Sequence, residues 1–115
     1  MASTPSTPGS LRKEMTNEAM AAYNQAVRLG PKSARAYNLR GDAYRRVGRY
    51  LQAIKDYNKA VQLAPELAES YSARAFAYTL LGKDKEARQD VASAVALGFE
   101  STLIEREIEE LTKRR

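Results

Sequence analysis

Three acids within four positions, Glu107, Glu109 and Glu110, come nearest to a spacing that could do chemistry. Two carboxylates in different environments can divide the work of a general acid and a general base. Neighbouring positions of a helix point in diverging directions, however, and no sequence feature encloses these acids in a dry pocket. The chain of 115 residues has no Cys and no His. Thiol nucleophiles, disulfides, Cys/His zinc sites and the imidazole base are therefore excluded. An enzyme is not expected, nor a metal, nor any other cofactor.

The next chemistry to weigh is charge. Eleven Lys and Arg stand against four Asp and Glu in residues 1–65, and eight against ten in residues 66–115, so the formal net charge of +5 divides into +7 and −2. Arg35, Arg45, Arg46 and Arg49 could contact phosphates, which would make binding steeply salt-dependent. They lack the interleaved aromatic residues on which single-stranded bases stack, and charge runs usually solvate a helix face. Nucleic acid is accordingly a disfavoured partner. No apolar run approaches the roughly 20 residues that cross a bilayer, and the N-terminus has no secretory apolar core. A cytoplasmic location with no membrane partner is the expectation.

The elements that carry these residues can be placed by composition and breaks. "MASTPSTPGS" is small, polar and Pro-containing, so residues 1–15 are expected to form a disordered leader. From there Ala, Leu, Val, Tyr and alternating charges follow helical spacing, interrupted at Gly30-Pro31, Gly48, Ala64-Pro65, Gly82 and Gly98. Gly suits the left-handed position that ends a helix, and Pro suits a first helical turn. Each interval holds three to four turns, and nothing alternates with the period of a strand. The chain reads as all-α.

A shift of 34 residues aligns Ala34, Tyr37, Arg40, Ala43, Tyr44, Gly48, Ala53, Asp56, Ala60, Val61 and Leu63 with identical residues at 68, 71, 74, 77, 78, 82, 87, 90, 94, 95 and 97. The same shift backward pairs Ala53, Tyr57, Asn58, Ala60, Val61, Leu63 and Pro65 with Ala19, Tyr23, Asn24, Ala26, Val27, Leu29 and Pro31. A period of this length with two helices per unit is the sequence signature of a helical solenoid. Tyr37, Gly41, Tyr44, Ala53, Tyr57, Ala60 and Pro65 fall at the spacing of the tetratricopeptide repeat (TPR) in its common bacterial form, which the chain resembles from about Thr16 to Gly98. The last unit departs from the pattern: Ala75 replaces Gly41, Asp84 replaces Tyr50, Val91 replaces Tyr57 and Phe99 replaces Pro65.

The expected architecture is a short right-handed α-solenoid of antiparallel helix pairs. It comprises a half repeat over 16–32, full repeats over 33–66 and 67–98, and a C-terminal capping helix over 99–115. Small residues such as Gly41, Ala53 and Ala60 would sit where helices approach, with Tyr37, Tyr44 and Leu63 filling the space around them. Arg40 and Asp56, like Arg74 and Asp90, lie 16 residues apart, one on each helix of a hairpin; an ion pair within each repeat is the expected explanation. Thr102 to Glu105 has a capping-box pattern, followed by an apolar stripe of Leu103, Ile104, Ile108 and Leu111. The terminal "KRR" complements the helix dipole. The helix from about Thr16 to Leu29 presents apolar residues with no first helix to cover them.

Resemblance to the TPR family implies a concave groove lined by the first helices of the repeats, where peptides or protein segments bind. Mapped onto this sequence, its positions are Arg35, Asn38, Asp42, Arg45 and Arg46, then Glu69, Ser72, Phe76, Thr79 and Leu80. Phe76 stands at the place of Asp42 and would put an aromatic ring into the groove unless the capping helix covers it. The family's chaperone-tail adaptors clamp a C-terminal carboxylate with Lys and Asn; here Asn38 and Asp42 stand instead, and Ala73 replaces an Asn, which disfavours that ligand. The implied function is non-enzymatic binding of a protein or peptide. The alternative is an assembly protein that forms a homodimer through its uncovered N-terminal helix.

Overall fold

The computed structural model describes residues 8–115, with side chains from residue 17 onward. Six helices follow one another: α1 (Pro8–Leu29), α2 (Ala34–Arg46), α3 (Tyr50–Leu63), α4 (Ala68–Leu80), α5 (Asp84–Ala96) and α6 (Ser101–Arg114). No strand occurs among the described residues. The all-α solenoid is as expected: α2 pairs with α3 and α4 with α5, while α1 packs on α2, α3 on α4, and α6 mainly on α4.

The breaks are of two kinds. At Gly48 (φ 83°) the turn from α2 to α3 closes with Gly48 N–H donating to Arg45 O at 3.1 Å and Arg49 N–H to Tyr44 O at 2.9 Å. This pair of bonds satisfies the carbonyls at the helix end and needs a left-handed residue between them. Gly82 repeats the arrangement between α4 and α5. The turn from α3 to α4 instead runs through Ala64-Pro65. Between α5 and α6 the glycine form returns, and Phe99 N–H donates to Ala94 O at 3.0 Å. Proline has no such donor, which explains why Phe99 stands where Pro65 does one repeat earlier.

Small residues make the core. Ala53, Ile54, Tyr57, Ala73 and Ala77 cluster where α3 meets α4, with Tyr44, Tyr78 and Leu81 packed around them. Tyr57, the largest fully buried side chain among the described residues, is 0% exposed. It owes its place to Gly41: a Cβ there would stand 2.7 Å from Tyr57 Cε1 and 3.0 Å from Cδ1. Glycine inside a helix costs about 1 kcal/mol relative to alanine, which the buried ring offsets.

Arginine ties the repeats together. Arg40 donates from Nε and Nη2 to both Asp56 oxygens at 2.8 Å, and from Nη1 to Asn24 Oδ1 on α1 at 3.2 Å. One repeat later Arg74 binds Asp90 at 2.8 and 2.7 Å and Asn58 Oδ1 at 2.8 Å. The expected ion pairs are thus present in fork geometry, and the asparagines extend each pair to a third helix. Hydrogen bonding to the carboxylate raises both guanidinium pKa values further above their already high ordinary value.

Three expectations need correction. Residues 8–15, assigned to a disordered leader, are helical, and Pro8 stands at the first helical position, where no donor is needed; residues 1–7 lie outside the described residues. The capping box does not form: α6 begins at Ser101 after Glu100, with no side-chain cap, so Thr102 already lies inside the helix. The apolar stripe loses a member as well, since Leu103 is 56% exposed while Ile104 and Leu111 are buried. At the other end of α6, Arg115 Nη1 reaches Thr79 O at 3.1 Å and its Nη2 reaches Asp84 Oδ2 at 2.9 Å, so the basic tail caps the end of α4.

Among the described residues no helix is long and apolar enough to cross a membrane, and no acid cluster could hold a metal ion. Glu107, Glu109 and Glu110 are all exposed on α6.

Candidate functional site

Helices α2 and α4 lie side by side in successive hairpins, and their like faces wall a hollow of about 240 Å³. Arg35, Asn38, Leu39, Asp42 and Arg45 line it from α2, and Glu69, Ser72, Ala73 and Phe76 from α4. Their spacing of three and four residues puts each set on one helix face. Seven of the ten residues expected for the groove therefore meet: Arg35, Asn38, Asp42, Arg45, Glu69, Ser72 and Phe76. The other three do not line the hollow. Arg46 is exposed in the last turn of α2 and Leu80 is half-buried at the end of α4. Thr79 is 1% exposed, and its hydroxyl donates to Ala75 O at 2.9 Å, because that face of α4 turns into the protein near α6.

The polar groups of the hollow are organised from beneath by Tyr57. Its hydroxyl donates to Asp42 Oδ1 at 2.5 Å and accepts from Arg45 Nε at 3.2 Å, while Arg45 Nη2 stands 3.6 Å from the same carboxylate oxygen. The Arg45 guanidinium also lies over Phe76, 5.5 Å from the ring centre, so α2 and α4 are joined across the hollow by a cation–π contact. Burial first, and the negative Asp42 second, hold the Tyr57 phenol well above its ordinary value. It stays a neutral donor throughout the physiological range.

Phe76 thus forms part of the wall, under Arg45. Across the mouth, Arg35 Nη1 and Glu69 Oε2 are 4.0 Å apart, with both side chains largely exposed. Such a pair contributes about 0–1 kcal/mol. Asn38 is different. It is 7% exposed, it lines the hollow, and its amide oxygen is buried with no hydrogen-bond partner. Ser72 keeps its hydroxyl on its own turn, donating to Glu69 O at 3.1 Å.

Sequence reasoning missed Leu39, Ala73 and Tyr57. Leu39 carried a usable signal, being an apolar residue beside predicted groove positions that remains 49% exposed. Tyr57 carried a fainter one: a phenol buried in a tight hairpin needs a polar partner, and Asp42 is the acid of the facing helix.

The sequence model of the TPR repeat matches residues 13–48 and 41–82. Among solved structures, the first TPR domain of human RPAP3 is 27% identical over 90% of this chain and 84% of that one, with TM-score 0.75. The second TPR domain of human RPAP3, solved in complex with the HSP70 peptide SGPTIEEVD, is 25% identical over 90% of this chain and 86% of that one, with TM-score 0.74. The TPR2B domain of yeast Sti1, in its pHsp70 complex, superposes with TM-score 0.78 over 91% of this chain and 89% of that one. At 22% identity it speaks to the fold alone. No curated protein matches the chain in sequence.

Proposed function

The chain belongs to the tetratricopeptide-repeat family, and from that premise we propose that it is a non-enzymatic protein-interaction module, binding a peptide or protein segment in the groove between α2 and α4. The observation that carries this reading is the convergence of seven groove residues from two successive first helices on one hollow, with the polar side chain of Asn38 buried in its wall and lacking a protein partner for its oxygen. The peptide complex of the second human RPAP3 domain supports the same mode of use.

The mechanism is preorganisation. Asp42, Arg45 and Phe76 are fixed by Tyr57 and by one another before any ligand arrives, so a bound segment loses its own freedom but costs the protein little. A cytoplasmic place of action goes with this reading. Affinity capture with the wild-type chain beside the Asn38→Ala/Phe76→Ala double variant tests it: loss of captured partners is expected, and identical partner lists remove the groove.

A second reading, assembly of two copies through α1, draws on one observation. None of the α1 side chains from 17 to 29 is buried, and Leu29 is 76% exposed. Light scattering over a concentration series decides it, since a monomer that persists at high concentration eliminates the assembly reading.

A further inference from the structure

We infer that the hollow between α2 and α4 takes an uncharged, apolar side chain from an extended internal segment of a partner, with Asn38 reading the segment's main chain, and that it does not bind a C-terminal carboxylate. The inference rests on the groove reading above and narrows its ligand.

Charge is the first argument. The lining carries two cations and two anions, and they are matched: Arg45 with Asp42 at 3.6 Å, Arg35 with Glu69 at 4.0 Å. Arg45 cannot be released to a ligand carboxylate without leaving Asp42 uncompensated, because Asp42 is pinned by the Tyr57 hydroxyl and half-buried. A half-buried acid stripped of its cation is penalised. The guanidinium is also occupied by the Phe76 ring. At Arg45 a ligand anion would therefore meet a charge already satisfied, and at the exposed mouth it would meet Glu69 as closely as Arg35.

Shape is the second. At about 240 Å³ the hollow is smaller than the roughly 300 Å³ at which whole small-molecule pockets begin, so one side chain with its adjoining main chain fits it better than a free ligand. Leu39, Ala73 and Phe76 give that side chain apolar contact.

Asn38 is the third. A carboxamide offers both an acceptor and donors, the complement of the C=O and N–H that an extended chain presents. Its last side-chain torsion is broad and two-fold, so a half-turn brings either end toward a ligand. In the free protein its oxygen is buried without a partner, and a buried acceptor left unmade is costly; the half-turn that presents it to a peptide N–H satisfies the acceptor, while the unturned amide offers its N–H groups to a peptide C=O. Ser70 Oγ is the other described side-chain atom in this state, but Ser70 does not line the hollow and so serves as the control.

The test uses the full chain and two randomised peptide libraries, one with both ends blocked by acetyl and amide groups, the other with free C-terminal carboxylates and flanking acids. Binders are expected from the blocked library, centred on a Leu, Ile, Met or Phe residue, with affinity nearly constant between low and high salt. Asn38→Leu should weaken them about tenfold, one lost hydrogen bond, while circular dichroism shows an unchanged fold; Ser70→Ala should leave them as they were. Binders drawn only from the acidic library, weakening steeply with salt, overturn the inference and leave the groove reading standing. Blocked peptides indifferent to both Asn38→Leu and Phe76→Ala, or no binders from either library, overturn both.

Discussion

The α2–α3 and α4–α5 hairpins share one 34-residue period, yet the first buries a tyrosine at the position where the second has a half-buried valine. Two substitutions separate them at the helix contact: Gly41 and Tyr57 in one, Ala75 and Val91 in the other. In the first hairpin the space freed by the missing Cβ is filled by the Tyr57 ring, at distances no alanine would tolerate. In the second the smaller valine accompanies an alanine that is itself fully buried. Packing positions thus change in compensating pairs. The hollow-facing positions change together as well: where Asp42 becomes Phe76, its partners Tyr57 and Arg45 become Val91 and Thr79, while Asn38 becomes Ser72.

The largest expected effect breaks the first hairpin alone. Tyr57→Ala should cost about 3–5 kcal/mol, as large-to-small core substitutions do, and it also leaves Asp42 without its donor. Val91→Ala, at a half-buried position, should cost roughly 1 kcal/mol. Urea midpoints read both, and equal losses would mean that the two centres carry the same weight. The ion pairs predict the opposite pattern. Asp56 and Asp90 are buried to almost the same degree under equivalent arginines, so Asp56→Ala and Asp90→Ala should each cost about 3 kcal/mol. A difference beyond about 1 kcal/mol would show that the two repeats do not distribute stability alike.

Gly41→Ala is the sharper probe of compensation. Alone it should destabilise by about 1–3 kcal/mol through overpacking against Tyr57. Combined with Tyr57→Val, which recreates the pair of the second hairpin, it should cost less than the sum of the separate changes, and strict additivity in a double-mutant cycle would sink the idea. A smaller effect with the opposite sign belongs to Ser70→Ala: removing a buried hydroxyl that has no partner should stabilise by about 0.5–1 kcal/mol.

What the sequence revealed follows the same division. Helices α2 to α5 and the Arg40–Asp56 and Arg74–Asp90 pairs were legible because they recur at one period, so each repeat confirms the other. The start of α1 was not. Its Pro, Gly and Ser composition reads as a breaker, although proline at a first helical position is harmless. Nor was the register of α6, where Thr102 imitates a cap two residues after the actual N-cap position, Glu100, and Leu103 faces out. The Asp42–Tyr57–Arg45 network was hidden for a related reason: it occurs once and depends on Gly41 admitting a ring, a three-dimensional fact with no echo in the next unit. Seven of the ten expected residues line one hollow because helical spacing defines a face, whereas Thr79 is buried on α4 near α6.

The smallest expected effect concerns another departure of the second hairpin, Asp84 at the place of Tyr50. Its carboxyl is held below the ordinary carboxylate value by the hydrogen bond from Arg115, with Arg88 adding a weaker attraction. A depressed folded value means that the interaction is fully present above the unfolded value near pH 4 and fades as the pH falls through the lower folded one. The carboxyl is open to solvent, so the signature to follow is the titration itself. An NMR titration of Asp84 should have its midpoint below that of a model aspartate, and Arg115→Ala should return it toward the ordinary value. A midpoint unmoved by Arg115→Ala would show that the C-terminal arginine does not fasten α6 to the start of α5, leaving its bond to the Thr79 carbonyl as the hold on the end of α4.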